Sequence, residues 1–277
     1  MKLHAWVAGI GRCALRGLLL LGLLLYGGLV VVCCYPALHL QQQSHMRQRW
    51  CQQVLRCLGV ELCIHQPAPL HAAGQLLVAN HQSWLDAVVL GAYMPVDFVA
   101  KAELRQWPFL GWLAAQNHTL FLSRYQARQA QAINTQIGMN LRAGKSILAF
   151  PEGTTQANGG VLPFYPALFQ SAIDAACPVQ PMALYYRDGA GAPSLAPAYT
   201  GDISFLQSLG RIMAAPRLQA HVHICPAIAP AAQHRRRHLA HQARAAILAQ
   251  LPSAAASRPE TQLADTGSAS PLQEAAF

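Results

Sequence analysis

The stretch Gln75-Leu76-Leu77-Val78-Ala79-Asn80-His81-Gln82-Ser83-Trp84-Leu85-Asp86 passes from an apolar run into a polar turn. Residues 75–79 predict a buried strand, and a helix is predicted to open near Ser83. Five residues on one helix lie about 140° apart, so we expect His81 in the turn and Asp86 in the first helical turn. Asp86 can then accept a hydrogen bond from one ring nitrogen of His81 and leave the other nitrogen as a general base.

The same residues also fit a helix cap that has no catalytic role. Ser83 is a suitable N-cap residue, and Asp86 would lie in the positive first turn of the helix. Capping patterns of this kind are common, so the stretch taken alone leaves both interpretations open.

The composition indicates a protein that is partly in lipid. Of its 277 residues, 53% are hydrophobic and only 11% are charged. The uncharged run from Gly17 to Tyr35 would span about 28 Å as a helix, close to the hydrocarbon core of a bilayer. This run is too long for the apolar core of a signal peptide, so we expect an uncleaved membrane helix that ends at Pro36. A bend at Gly27-Gly28 would instead give a re-entrant helical hairpin, and balanced flanking charges leave the topology open.

The formal net charge of +9 suits an anionic membrane surface or an anionic substrate. Nucleic acid is not an expected partner, because no helix-turn-helix, zinc-finger spacing or RNA-binding aromatic motif accompanies the charge. The run Arg235-Arg236-Arg237 is expected on a solvated or lipid-facing side of a helix.

The eight cysteines are expected to be reduced, since they contain no Cys-x-x-Cys pair. Cys57, Cys63 and His65 are close in sequence but match no standard zinc spacing, so no metal site is predicted. His221 and His223 alternate along an expected strand and could point together, although ordinary strand histidines are the simpler interpretation.

Strands and helices alternate after residue 60, which predicts a single α/β domain with a central, mainly parallel sheet. Strands are predicted at 75–79, 97–100, 119–122, 146–150, 179–184 and 219–225, and helices at 84–93, 109–115, 126–143, 167–176 and 231–251. The expected domains are a membrane anchor at 1–40, an amphipathic interfacial or packing helix at 41–59, the α/β domain at 60–251 and a disordered tail at 252–277.

Polar residues interrupt this apolar chain just past the ends of four predicted strands. They are Asn80-His81, Lys101, Ser123-Arg124 and Glu152-Gly153. The carboxyl ends of parallel strands form the binding edge of such sheets, so we expect one site there. Two cations beside a His–Asp pair indicate an anionic substrate whose hydroxyl is deprotonated. Alternatively, Lys101 is only solvated, Arg124 pairs with a carboxylate and the segment 151–153 is only a turn.

Two other catalytic motifs are not supported. Gly144-Lys145-Ser146 lacks the first glycine of a phosphate-binding loop, because Met139 occupies that position. The Gly-x-Ser-x-Gly elbow of serine hydrolases does not occur in the chain.

Three of the segments resemble the ordered motifs of glycerolipid acyltransferases, and in particular those of 1-acylglycerol-3-phosphate acyltransferases. They are Asn80-His81-x4-Asp86, Phe121-Leu122-Ser123-Arg124 and Phe150-Pro151-Glu152-Gly153-Thr154. Further similar segments are Phe98-Val99-Ala100-Lys101, Pro108-Phe109-Leu110-Gly111-Trp112 and Pro178-Val179-Gln180-Pro181. The resemblance covers roughly residues 70 to 190 and is specific, because several motifs agree in order and spacing.

The resemblance implies a membrane-bound O-acyltransferase that moves a fatty acyl group from a thioester to the hydroxyl of a lysolipid. By likeness, His81 is the base, Asp86 orients it, and no covalent intermediate forms. Substrate binding would involve Asn80, Lys101, Arg124, Glu152, Gly153, Thr154 and Thr155. The co-substrate would be acyl-CoA or acyl-acyl carrier protein, with no cofactor and with the catalytic domain on the cytoplasmic face of the inner membrane. Because His81 must be neutral to act as the base, activity should fall in mild acid.

One departure from the family pattern concerns the acceptor. Thr155 stands where the third motif usually continues with arginine, and Tyr165 and Ala167 stand where relatives often carry lysine and glycine. Threonine supplies one hydrogen-bond donor but no charge. The expected acceptor is 1-acyl-sn-glycerol-3-phosphate, and the alternatives are lyso-ornithine lipid, another lysolipid, or a non-catalytic lipid-binding role.

Overall fold

The computed structural model describes residues 2–65, 74–122, 127–156, 160–230 and 235–252. The helices of this part are α1 Lys2–Cys33, α2 Leu40–Leu58, α3 Leu85–Tyr93, α4 Leu110–Gln116, α5 Ala127–Arg142, α6 Gln170–Ala175, α7 Phe205–Ala214 and α8 Arg236–Leu248. The strands are β1 Val60–His65, β2 Leu76–Ala79, β3 Asp97–Lys101, β4 Leu120–Leu122, β5 Ile147–Ala149, β6 Val179–Asp188 and β7 Leu218–Ile224. Short 3-10 helices cover Tyr35–Ala37, Ala102–Gln106 and Pro166–Phe169.

The strands form one sheet in the order β1-β7-β6-β2-β5-β3-β4. From β6 to β4 all neighbouring strands are parallel, whereas β7 runs antiparallel to β6 and parallel to β1. The prediction of a mainly parallel α/β sheet is therefore confirmed. The carboxyl ends of five parallel strands share one edge of the sheet, which is the edge that carries His81.

The central strand is apolar along its whole length because helices cover both faces of the sheet. All four residues of β2 are fully buried. Leu77 and Ala79 pack in the core with α2, α3 and α7, while Leu76 and Val78 pack in the core with α5, α6 and α8. A strand with two buried faces reads as a continuous hydrophobic run, as residues 76–79 do.

Two elements were not predicted from the sequence, the edge strand β1 and helix α7, which packs on the sheet. The edge strand β1 begins directly after the αL residue Gly59 that ends α2, and its six residues were not assigned to a strand although the helix was predicted to end at Gly59. Helix α7 begins at a capping box in which Ser204 accepts from the Gln207 backbone, and a glycine within its ten residues obscures the helical period.

Helix α1 is longer than predicted and continues through Gly27 and Gly28 without a re-entrant bend. The two glycines serve close packing instead. A Cβ on Gly27 would lie 2.7 Å from Trp50 Nε1, and one on Gly28 would lie 3.0 Å from the Phe109 ring. Trp50 also donates a 3.1 Å hydrogen bond to the carbonyl of Leu23. The hairpin of the structure is thus formed by α1 and α2, which pack against each other.

Arginines that flank the apolar run bind the α/β domain. Arg16 donates to the carbonyls of Met213 at 2.8 Å and Ala215 at 2.7 Å, and Arg12 donates to the carbonyl of Ala214 at 3.2 Å. These carbonyls lie at the C-terminus of α7, where cations are favourable. Helix α1 therefore lies along the domain instead of projecting from it.

Helix α2 packs as part of the core. Its residues Cys51, Val54, Leu55 and Leu58 are buried. Arg47 is buried as well, and its guanidinium forms a 2.8 Å ion pair with Asp97 at the start of β3. These contacts agree with the packing alternative for this helix, while an interfacial role for its outer surface stays a prediction.

One helix of the described chain, over Gly9–Cys33, is long and apolar enough to cross a membrane by length and composition. All eight cysteines are free thiols, as predicted. The tail predicted to be disordered lies, from residue 253 onward, outside the described residues.

Candidate active site

The turn after β2 is tied to the neighbouring strand β6 by Asn80. Its amide nitrogen donates to the carbonyl of Leu184 at 2.8 Å, and its amide oxygen accepts from the backbone N–H of Leu184 at 2.8 Å. The side chain is fully buried, so in this structure Asn80 extends the pairing of β2 with β6 by one residue. Its predicted role in substrate binding stays a prediction.

The structure brings His81 and Asp86 together as the sequence predicts. His81 Nδ1 lies 2.8 Å from Asp86 Oδ2, with the imidazole 17% exposed and the carboxylate fully buried. Asp86 can only accept, so Nδ1 carries the proton in the neutral ring and Nε2 is the nitrogen that can take one. A buried carboxylate thus fixes the tautomer of a partly exposed imidazole.

Asp86 also organises the turn, which joins the catalytic and the capping interpretations. Its Oδ2 atom accepts from the backbone N–H groups of Gln82 at 2.6 Å and Ser83 at 2.8 Å. Ser83 Oγ accepts from the backbone N–H of Leu85 at 3.2 Å, although the helix boundary itself falls at Trp84. The same carboxylate therefore holds the start of α3 and the imidazole.

Tyr186 is a residue of this site that the sequence analysis missed. Its hydroxyl donates to Asp86 Oδ1 at 2.6 Å. The predicted strand ended at 184, whereas β6 runs on to Asp188 and places Tyr186 on the face that carries Asp86. The signal was present in the sequence, since side chains alternate along a strand and Tyr186 therefore shares a face with residues 182 and 184.

The strand end of β5 holds His81 from the other side. The Phe150 ring stacks on the imidazole with centroids 4.0 Å apart and planes 15° from parallel. Glu152 Oε1 accepts from the His81 backbone N–H at 2.7 Å, and the His81 carbonyl accepts from the Gln156 backbone N–H at 2.9 Å. The imidazole is therefore fixed through its ring face, its Nδ1 atom and its backbone.

Glu152 is almost completely buried, and burial raises the pKa of its carboxyl to about 8. The backbone N–H groups of Leu162 and His81 oppose this effect by binding the ionised form. Arg244 of α8 donates to the carbonyls of Val161 and Leu162 at 2.8 and 3.1 Å. Helix α8 thereby fixes the loop that contacts Glu152, a link that no motif in the sequence indicates.

The predicted acceptor-binding residues are only partly brought together. Lys101 is exposed at the end of β3, on the carboxyl edge of the sheet. Arg124 lies in the segment 123–126, outside the described residues. Gly153 has a φ of 64°, which favours glycine, and Thr154 beside it is half-buried in the loop after β5.

Thr155, which stands where the family motif usually has arginine, has a structural role of its own. Its hydroxyl donates a short hydrogen bond to the carbonyl of Tyr199. The backbone N–H of Tyr199 in turn donates to the carbonyl of Gln82 at 3.2 Å. The Thr155 side chain therefore supports the turn that carries His81, and its hydroxyl proton is already engaged.

A second group of histidines lies on the edge strand β1 and its neighbour β7. His65 Nε2 is 2.9 Å from His221 Nδ1, and the His65 ring stacks on His223 at 4.2 Å. The Tyr185 hydroxyl lies 3.2 Å from His223 Nε2. We call these four residues the edge histidine cluster. Within the described part of the chain, no three His, Cys, Asp or Glu side chains have the geometry of a metal site.

The geometry of the His81 site suits proton transfer from a bound hydroxyl. The imidazole is oriented, partly exposed and placed at the binding edge, and its proton-accepting nitrogen is opposite a carboxylate that would stabilise the imidazolium.

A sequence model of the acyltransferase family matches residues 61–185. The chain is 38% identical to the 1-acyl-sn-glycerol-3-phosphate acyltransferase of Neisseria meningitidis over 66% of its own length and 71% of that protein. It is 36% identical to the lyso-ornithine lipid O-acyltransferase of Pseudomonas aeruginosa over 85% of its own length and 92% of that protein. The fold is similar to that of the 1-acyl-sn-glycerophosphate acyltransferase PlsC from Thermotoga maritima, with a TM-score of 0.63, 16% identity, and coverage of 88% of this chain and 96% of that one.

Proposed function

The chain belongs to the acyltransferase family, and from this premise we propose that it acylates the hydroxyl of a lysolipid with an acyl thioester as donor. The observation that carries the proposal is the His81–Asp86 pair, at 2.8 Å, on the binding edge of the sheet. Acyl transfer to an alcohol needs a base for the hydroxyl proton, and a neutral imidazole held by a carboxylate is suited to that task.

In the proposed reaction, Nε2 of His81 takes the proton as the acceptor oxygen attacks the thioester carbonyl. The C–S bond breaks as the new ester forms, and the thiolate leaves with the proton that His81 returns. Asp86 stabilises the imidazolium during this cycle without taking its proton. The acyl thioester is a co-substrate, acyl-CoA or acyl-acyl carrier protein, and the chemistry requires no further cofactor.

The surface beside the site supports action at a membrane. Helix α1 exposes leucines along its outer side, including Leu18 at 69% and Leu25 at 62%. Trp84, which follows the His81 turn, lies 5.0 Å from the Phe205 ring, and the adjacent Leu206 is 75% exposed. Aromatic and apolar groups of this kind favour the membrane–water boundary. A thioester donor is cytosolic, so we place the catalytic domain on the cytoplasmic face of the inner membrane.

Two acceptors are supported by different observations. The phosphate acceptor 1-acyl-sn-glycerol-3-phosphate is supported by Lys101 and Arg124 near strand ends and by the name of the Neisseria relative. Lyso-ornithine lipid, which has no phosphate, is supported by Thr155, whose hydroxyl is already engaged with Tyr199. The Pseudomonas relative named for that acceptor also matches this chain over more of both lengths. We therefore favour lyso-ornithine lipid and keep the phosphate acceptor as the second candidate.

The test is an acceptor panel with the purified protein in lipid micelles. It contains 1-acyl-sn-glycerol-3-phosphate, lyso-ornithine lipid and other lysophospholipids, each with labelled acyl-CoA and acyl-acyl carrier protein. We expect product from a lysolipid, with lyso-ornithine lipid turned over fastest and with activity falling in mild acid as His81 is protonated. If no lysolipid is acylated, the proposed function is wrong.

The His81→Ala variant identifies the base. We expect turnover to fall by at least about 1,000-fold, because the hydroxyl loses its proton acceptor. His45→Ala is the matched control, since His45 is exposed on α2 and its Nδ1 atom bonds to the Gln41 carbonyl of the same helix. Retained activity in His81→Ala, with the protein folded, would contradict the assigned mechanism.

A further inference from the structure

We propose that Tyr186 is a positioning residue of the acyl transfer reaction, whose hydroxyl holds the Asp86 carboxylate in the orientation that aligns His81. The proposal rests on the proposed function for its kinetic consequences. Its structural basis is independent of the acceptor and consists of the hydrogen bonds around one buried carboxylate.

The two oxygens of Asp86 have different sets of donors. Oδ2 accepts from His81 Nδ1 and from the backbone N–H groups of Gln82 and Ser83. Among the described residues, the donor to Oδ1 is the hydroxyl of Tyr186 at 2.6 Å. A carboxylate with one oxygen bound could rotate about its χ2 angle, whereas donors on both oxygens fix its plane.

Burial makes the hydroxyl difficult to replace. Asp86 has no exposed surface, and Tyr186 is 3% exposed in the core between the sheet and α2, α3 and α7. A water molecule that replaced the hydroxyl would need space in this packed region. Without a donor, Oδ1 would be a buried, unsatisfied charged atom.

Tyr186 itself stays neutral at physiological pH. Burial, and then the negative charge of Asp86, raise the pKa of its phenol well above the usual value. The hydroxyl therefore acts as a permanent donor and does not exchange its proton in the reaction. Because the buried hydroxyl contacts Asp86 and not the exposed imidazole nitrogen, its role is to orient the carboxylate.

The titratable groups around the pair come from three elements besides α3. Tyr186 of β6 donates to Asp86, Glu152 after β5 accepts from the backbone of His81, and Arg244 of α8 acts on the loop that binds Glu152. Of these groups, only Tyr186 touches the carboxylate that binds the imidazole. Its removal should therefore change the basicity of His81 through Asp86.

The substitution Tyr186→Phe deletes the hydroxyl and keeps the ring. We expect kcat to fall about tenfold with little change in KM for the acceptor, because alignment of the base is weakened while the binding residues are untouched. Asp86 should also interact more strongly with protonated His81 once it loses a donor. The acid limb of the pH–rate profile should then move to higher pH.

Tyr185→Phe is the matched control, because Tyr185 is the preceding residue on the same strand, points to the opposite face and contacts His223. We expect its kcat and pH profile to equal those of the unsubstituted protein. Thermal unfolding of both variants separates a loss of folding from a loss of alignment.

A spectroscopic measurement does not depend on turnover. Selective ¹⁵N labelling of histidine, with His81→Gln to assign the resonance, gives the pKa of the His81 imidazole in each protein. We expect that pKa to rise in Tyr186→Phe and to stay unchanged in Tyr185→Phe. An unchanged His81 pKa would overturn the proposal even if the protein acylates lysolipids, and a raised one would support it even if no acceptor in the panel is turned over.

Discussion

The His81 site and the edge histidine cluster show two ways in which one sheet uses histidine. The cluster contains three imidazoles, in which His65 contacts both His221 and His223, whereas the site has one imidazole with a carboxylate. In the cluster, His65 Nε2 pairs with His221 Nδ1, and His223 Nε2 pairs with the Tyr185 hydroxyl. At the site, a buried charge fixes one nitrogen and prepares the other to receive a proton.

The difference shows that position and partner, not the number of histidines, decide function. The cluster lies on β1, β7 and the later part of β6, where two strands run opposite to the five parallel strands. The site lies at the carboxyl edge, where the parallel strands place successive loops around one point. A positive charge on a cluster histidine would lie beside other imidazoles, whereas a positive charge on His81 would lie beside the Asp86 carboxylate.

The sharpest test of this comparison is Asp86→Asn. The amide cannot accept from His81, Gln82, Ser83 and Tyr186 together, because its nitrogen is a donor. We expect kcat to fall roughly 100- to 10,000-fold, as the imidazole loses its tautomer and its counter-charge. Steady-state kinetics would show this loss, and His221→Gln in the cluster should retain full activity. Equal losses in both variants would remove the distinction between the two regions.

A smaller effect is expected from Thr155→Arg, which restores the charge that the family motif usually carries. We expect the ratio of turnover on 1-acyl-sn-glycerol-3-phosphate to that on lyso-ornithine lipid to rise about tenfold, the effect of one favourable ionic hydrogen bond. Competition between the two acceptors measures the ratio. Thr155→Gln, which lacks the charge, is the control, and an equal change in both variants would argue against a phosphate contact at this position.

The smallest effect concerns the stability of the cluster in acid. Burial and the neighbouring His65 lower the pKa values of His221 and His223. The unfolded chain therefore binds protons more readily below about pH 6.5, so stability should fall as the pH drops from 7 to 5. We expect His223→Gln to reduce this acid-induced loss of Tm, because one of the two histidines with a lowered pKa is removed. An identical pH dependence of Tm in the variant would contradict the expectation.

The parts of the fold that were predictable are those with local signals. The run Leu76–Ala79 and the polar residues after each strand predicted the parallel sheet and its binding edge, because burial on two faces leaves a readable pattern. The His81–Asp86 contact followed from helix geometry alone. The family resemblance added the chemistry, which the residues themselves left open between catalysis and capping.

The missed features depend on contacts between distant residues. Tyr186 is one hundred residues from Asp86, and Arg244 is 82 residues from the Leu162 carbonyl to which it donates. No spacing rule connects such pairs, since the order of strands in the sheet brings them together. The paired glycines of α1 were misleading for the same reason, because their close contacts are with Trp50 and Phe109 on other elements.

The arginines of α1 determine whether this helix can be removed without disturbing the rest of the protein. Arg12 and Arg16 cap the C-terminus of α7, and the N-terminus of α7 carries Phe205 against Trp84, beside the His81 turn. Removal of the first helix to obtain a soluble fragment would leave these helix carbonyls without their donors and would uncover the apolar side of α7. Helix α1 is therefore not a modular segment, and its exchange for another protein's helix would need to reproduce both guanidinium contacts.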